Sequence, residues 1–323
     1  MSLLTQPAIA NLVAKTLQRL SGLATPNIAR AEKKPGSTLG RFPEYPRTIR
    51  RLTIPTSVAP APAVVYLPPG NQTAPPVHVN FHGGGFVMGL VDMEDPLCRF
   101  LAAEAGVVVI NVDYVLAPQH PFPEPPRQAF DVIRWVADHG PEQGWDGDRL
   151  TIGGQSAGGS LAAAAARQAL ETGGPAIGLQ VLHYPPLDLA TPGRGKKSVI
   201  DKPRLTPWMS DVFDTAYAPD VATRSDRLIS PANPADTSDL TGIAPALVIT
   251  TEYDILRAEG QRYADRLRQV GALVEHYDVP GVDHGYDLTG PDSGPDFEKT
   301  RNTYELIARH VKQATVSVPP TTG

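Results

Sequence analysis

A chain of 323 residues can bury a substantial core, as one large α/β domain or as two ordinary ones. Its net charge of −5, with no basic stripe, argues against nucleic acid as a partner, and no run is long and apolar enough for stable membrane insertion. The one cysteine, Cys98, cannot form an internal disulfide, and with neither a phosphate-binding glycine loop nor a metal-ligand spacing in the chain, no cofactor and no metal are expected.

In chain order, Ile9, Leu12, Val13, Leu17 and Leu20 repeat at helical spacing with Lys15 and Arg19 off the stripe, which predicts an amphipathic N-terminal helix. The same two charges interrupt the segment before an apolar run of signal-peptide length develops, so a cytoplasmic location is expected. From about Val77 to His310, strand-like and helical runs alternate, predicting one continuous sheet with crossover helices. Proline clusters at Pro60 to Pro76 and Pro118 to Pro126 punctuate loops, since apolar strand runs resume after each.

The run Val77 to Phe81 leads into His82-Gly83-Gly84-Gly85. Consecutive glycines let backbone N–H groups approach a substrate oxygen with no Cβ in the way, so Gly83, Gly84 and Gly85 are candidate oxyanion donors, Gly84 and Gly85 foremost. Alone, such a triplet also reads as a plain loop. Further on, the β-like Leu150-Thr151-Ile152 turns through Gly154-Gln155-Ser156-Ala157-Gly158 into an alanine-rich helical run ending near Leu170. A strand turning sharply into a helix lifts the serine hydroxyl out of the backbone, and the Ala157 N–H becomes a third oxyanion donor. Residues 188–226 depart from the alternation and carry Trp208 and a stripe of Met209, Phe213 and Tyr217. Helices inserted there can cover the catalytic edge, with Phe86, Trp208 and Met209 as expected walls of a substrate pocket.

A serine hydroxyl needs a base to take its proton, and the base needs a third group to hold it in one tautomer. The strand Ala246 to Thr251 precedes Asp254, a helical stretch runs from about Glu259 to Val270, and the strand Leu273 to Val279 precedes His284. Both residues lie just past carboxyl ends of strands, where open α/β sheets place their ligands. Of the eight histidines, His284 alone is in that order and on that kind of loop. Glu252, Glu259 and Asp283 stand as alternatives to Asp254.

Taken together, His82 to Phe86, Gly154 to Gly159, Asp113 to Gln119 with Pro121-Phe122-Pro123, Ser230-Pro231, Asp254 to Arg257 and Asp283 to Tyr286 resemble a known set. They are similar to the HGGG, GDSAGG, DYRLAPE-x-PFP, SP, D-x-L-R and HG-aromatic elements of the hormone-sensitive-lipase-like branch of the α/β-hydrolases, the bacterial family IV carboxylesterases. The resemblance spans about Leu67 to His310. It implies a mostly parallel central sheet with helices on both faces and a helical cap. It also implies Ser156, Asp254 and His284 as a triad, the glycine loop and Ala157 as the oxyanion hole, and hydrolysis of short to medium acyl esters through an acyl-enzyme. The expected division is cap helices in 1–45 and 188–226, core in 46–187 and 227–315, and a frayed tail at 316–323. A homodimer could pair through the Leu273 to Val279 edge. Competing readings are a non-catalytic ligand-binding module, which loss of the base histidine would favour, and an amidase or lactonase with the same triad.

The chain departs from that family at three positions. Val115, Gln119 and Gln155 stand where the family pattern has Arg, Glu and Asp. The expectation is one mutually adjusted group behind the serine turn, so that restoring Asp at 155 alone does more harm than restoring all three.

Overall fold

The computed structural model of the chain describes residues 5–24, 38–89, 91–290 and 293–316. Eight strands form one sheet: β1 (Ile49–Ile54), β2 (Ala61–Tyr66), β3 (Pro76–Phe81), β4 (Val108–Val112), β5 (Asp146–Gln155), β6 (Leu179–His183), β7 (Ala246–Thr251) and β8 (Leu273–Val279). Their spatial order is β1-β2-β4-β3-β5-β6-β7-β8. Only β2 runs antiparallel to its neighbours; every pair from β4 to β8 is parallel.

Strands of a parallel sheet covered on both faces carry apolar residues with little alternation. Every residue of β4 and β7 is buried accordingly. The pleat still sorts them: Val79, Phe81, Ile110 and Val248 enter one core, while Val109, Leu247 and Ile249 enter the other.

The helices are α1 (Pro7–Ala24), α2 (Asp95–Ala105), α3 (Glu124–Asp138), a single turn α4 (Gly140–Gln143), α5 (Ala157–Thr172), α6 (Pro207–Tyr217), α7 (Arg257–Gln269) and α8 (Pro295–Val316). α3 and α5 pack together over the first core, to which α7 adds Tyr263, Ala264 and Leu267. α2 and α8 cover the second. The alanines of α5 combine high helix propensity with small volume, so this helix sits close against the sheet with Ala162 to Ala166 buried. Gly173, in the left-handed region at φ 66°, ends it by donating its N–H to the Ala169 carbonyl.

The N-terminal helix forms where its periodicity predicts, but the buried face differs. Leu12 and Leu20 are 67% and 59% exposed, whereas Ala10 and Ala14 are fully buried. α1 packs against α6, and residues without long side chains allow that approach; a stripe drawn through the leucines lies beside the true contact face. Of the expected frayed tail only Val316, the last residue of α8, falls among the described residues.

Topology sets the site. β3 and β5 are neighbours with Phe81 paired to Gly154, so the loop after one and the turn after the other meet at the same sheet edge. The segments following β7 and β8 emerge along that edge too. Among the described residues no helix is long and apolar enough to cross a membrane.

Candidate active site

Ser156 sits between β5 and α5 with φ 51° and ψ −122°, a conformation an L-residue rarely adopts. Its N–H donates to the His183 carbonyl at 2.9 Å, tying the turn to β6. The crowding that makes glycine necessary is direct. A Cβ on Gly158 would lie 1.8 Å from the Phe81 carbonyl oxygen, so the helix could not approach β3 with any larger residue there. The hydroxyl is thereby aimed at the loop segments beyond β7 and β8.

There the structure brings together the residues expected from the sequence. Ser156 Oγ lies 2.9 Å from His284 Nε2, and His284 Nδ1 lies 2.6 Å from Asp254 Oδ2. A carboxylate only accepts, so the imidazole proton belongs on Nδ1 and leaves Nε2 free to accept from the serine. Asp254 is buried, and its second oxygen accepts the Leu256 N–H at 3.0 Å. Burial disfavours a charged His284 ring, but the Asp254 carboxylate, with Asp283 and Asp287 behind it, outweighs that and holds the imidazole above its ordinary value. The rival acids are engaged elsewhere. Glu252 accepts the Gly281 N–H at 2.6 Å, Glu259 pairs with Lys196 at 2.9 Å, and Asp283 accepts the N–H groups of His284 and Arg204.

The glycine loop requires one correction. The Gly83 N–H donates to Glu94 Oε1 at 2.6 Å, which turns it away from any substrate and removes it from the set of oxyanion donors. The N–H groups of Gly84, Gly85 and Ala157 find no acceptor among the described residues. Gly84 reaches this arrangement at φ 126°, where a Cβ would lie 2.2 Å from the Met88 carbonyl oxygen. His82 shapes the loop from beneath: its ring stacks on Tyr114, whose hydroxyl donates to the His82 carbonyl at 2.9 Å.

Ser156, His284 and the three glycines open onto a cavity of about 300 Å³ lined mainly by apolar side chains, among them Phe86, Met88, Leu205, Met209, Phe213 and Leu256. Phe86 and Met209 therefore stand where expected, and Phe86 is fixed by stacking on Tyr217 with ring centroids 3.8 Å apart. Trp208 does not line the cavity. It is 49% exposed, because α6 directs Met209 and Phe213, one turn apart, inward and so turns the residue before Met209 outward. Tyr184, absent from the sequence expectations, follows β6 and sets its ring edge-on to His284 at 4.9 Å. No local pattern marks it.

Comparison with known proteins identifies the family. A family model described as alpha/beta hydrolase fold matches residues 78–288. The esterase LipI of Mycobacterium tuberculosis is 34% identical over 287 residues, covering 87% of this chain and 88% of the relative. The chain belongs to the α/β-hydrolase family. It falls in the hormone-sensitive-lipase-like carboxylesterase branch that its motifs resemble. Ethyl acetate hydrolase of Pseudomonas putida is 36% identical over 236 residues, covering 71% of this chain and 72% of the relative. Among solved structures, the hyperthermophilic esterase from the archaeon Pyrobaculum calidifontis superposes with a TM-score of 0.79 at 33% identity, covering 95% of this chain and 92% of the other.

In this α/β-hydrolase the three departures from the family pattern do not form one group. Gln119 exchanges amide hydrogen bonds with Gln18 of α1, and the Val115 N–H donates to Gln128 at 2.7 Å. Gln155 is fully buried and donates to Asp287, a buried carboxylate that also accepts from the hydroxyls of Tyr184 at 2.6 Å and Tyr304 at 3.1 Å. Gln155 is thus matched to Asp287, not to Val115 or Gln119. Gln155→Asp sets two carboxylates against each other in a dry site and is expected to cost about 3 kcal/mol at neutral pH. The loss should shrink as pH falls and the pair takes up one proton. Adding Val115→Arg and Gln119→Glu should recover nothing, because neither residue touches this contact. Urea midpoints of the single and triple variants test this; a single variant as stable as the parent, or recovery in the triple, would contradict it.

Proposed function

We propose that this carboxylic ester hydrolase works through an acyl-enzyme on Ser156 and acts on esters of short to medium acyl chains. Ser156 Oγ attacks the ester carbonyl carbon as His284 Nε2 takes the hydroxyl proton, and Asp254 holds the imidazolium that results. The oxyanion accepts from the N–H groups of Gly84, Gly85 and Ala157. Collapse of the tetrahedral intermediate breaks the bond to the alcohol, which leaves with the proton from His284. Water then repeats the sequence on the acyl-enzyme, with His284 again as base, and frees the acid.

The observation that supports this reading is the unbroken line Ser156–His284–Asp254, at 2.9 and 2.6 Å, opening on an apolar cavity that Gly84 and Gly85 line, with the N–H groups of both and of Ala157 finding no acceptor among the described residues. α6, from the segment 188–226, supplies Met209 and Phe213 to the cavity wall and packs on α1, which suits a cap drawn from α1 and 188–226, whereas Phe42, inside the expected 1–45 cap, packs in the second core against Phe100 and Tyr304.

An apolar cavity of about 300 Å³ suits a short to medium acyl chain. A relative named for ethyl acetate hydrolysis supports the same range. Initial rates on p-nitrophenyl esters from acetate to palmitate should peak at about four to six acyl carbons and fall by at least about tenfold by palmitate. Rates that keep climbing to palmitate would contradict the size limit.

A further inference from the structure

We infer that Glu94 is a positioning residue, which aims the glycine loop at the reacting carbonyl by holding the Gly83 N–H. This rests on the oxyanion role proposed above for Gly84 and Gly85. Glu94 ends a short turn, Val91–Glu94, and its side chain is buried beneath the loop at 1% exposure. One oxygen accepts the Gly83 N–H and the other accepts Asn80 Nδ2, each at 2.6 Å.

The direction of every bond in this line is forced. Asn111 Nδ2 donates to the Val91 carbonyl at 2.7 Å, and a carbonyl only accepts, so Asn111 must present its oxygen to Asn80. Asn80 must then present its amide nitrogen, which donates to Asn111 Oδ1 at 2.8 Å and to Glu94 as well. At the other end Gly83 offers an N–H. Glu94 therefore faces a donor on each oxygen, a demand that a carboxylate meets and an amide cannot.

Burial resists that choice, pushing the Glu94 carboxyl up to about 7 against the help of His82, Asn80 and the Gly83 N–H. A side chain of neutral shape would avoid this burden; what the carboxylate adds is a strong, short bond to the backbone one residue before the proposed oxyanion donors. Held there, the Gly83 amide fixes the peptide plane from which Gly84 and Gly85 project.

The test is Glu94→Gln, which keeps the shape and turns one acceptor into a donor, beside Ser156→Ala and the double variant Glu94→Gln/Asn80→Asp. In the double variant the carboxylate is moved one hydrogen bond along the line, so net charge is unchanged and Gly83 again meets an acceptor; the mismatch passes to Asn111, whose oxygen then faces Asp at 80 or, turned over, the Val91 carbonyl, so the variant is expected to be less stable than the parent with its kcat restored. With p-nitrophenyl butyrate, Glu94→Gln should lower kcat about 10- to 100-fold with KM changed by less than about threefold. Affinity for phenylboronic acid, which adds the serine to give a tetrahedral anion, should fall by the same factor. The double variant should return kcat to within about threefold of the parent, and it carries the test alone if Glu94→Gln does not fold. A folded Glu94→Gln with parental kcat, a loss carried by KM, or a folded double variant without rescue overturns the inference. Turnover that survives Ser156→Ala would overturn the site reading and this inference with it, whereas a dead Ser156→Ala beside an unaffected Glu94→Gln sinks the inference alone.

Discussion

Ser156→Ala lowers kcat by a factor on the order of 10⁶ in this account, His284→Ala lowers it about as much, and the double variant is no worse than either. The hydroxyl and the imidazole act as one unit. Without the base, the 2.9 Å contact supplies no proton acceptor; without the hydroxyl, the base has nothing to activate. What remains in each case is the same oxyanion site and cavity, acting on a water molecule, which leaves a residual rate roughly 10³–10⁴-fold above solution. Burst-free steady-state rates on p-nitrophenyl butyrate, with active-site content checked by thermal unfolding, read this directly. Effects that multiply in the double variant would show two groups acting independently and would break the proposed mechanism.

Asp254→Asn is expected to lower kcat by about 10⁴ while leaving the fold intact. The amide can present its N–H to His284 Nδ1, which moves the imidazole proton to Nε2, where it blocks acceptance from the serine. The pH profile changes with it. In the parent, burial opposes a charged His284, but Asp254, Asp283 and Asp287 raise the ring above its ordinary value. Catalysis needs the neutral ring, so activity is lost as pH falls through that raised value, and the acid limb should have its midpoint above about 6.5. Removing the Asp254 charge leaves burial dominant, and the limb should move to lower pH. A kcat/KM profile whose acid limb stays in place in Asp254→Asn would mean that another group titrates there.

The sequence made the local chemistry legible and left its supports hidden. Strand, tight turn and helix are encoded within a few residues of Ser156, and the glycines at 154 and 158 are demanded by contacts of under 3 Å with the backbone of Phe81 and of one another. The strand before Asp254 is an apolar run whose bounds follow from composition, whereas that before His284 mixes Glu275, His276 and Asp278 with apolar residues, as suits a partly exposed edge strand. Chain order then sufficed to pick His284 and Asp254, which the structure sets in line with Ser156. Glu94 and Asp287 gave no such sign, because their partners come from elements 11 to 132 residues away and a buried polar pair follows no periodicity. Trp208 was misplaced for the opposite reason: a large aromatic beside a helical stripe attracts the inward role, yet the helix turns it out. In α1 the reading favoured leucines, while close packing favoured Ala10 and Ala14. The grouping of Val115, Gln119 and Gln155 failed because likeness of substitution says nothing about shared space.

A covalent ester on Ser156 is tested by mass spectrometry of the protein quenched in acid during turnover of p-nitrophenyl butyrate, followed by peptide mapping. Butyryl groups are expected on Ser156 alone, absent in Ser156→Ala and equal in amount to the burst of nitrophenol. A burst of nitrophenol with no adduct on Ser156, or an adduct on a residue other than Ser156, would contradict it.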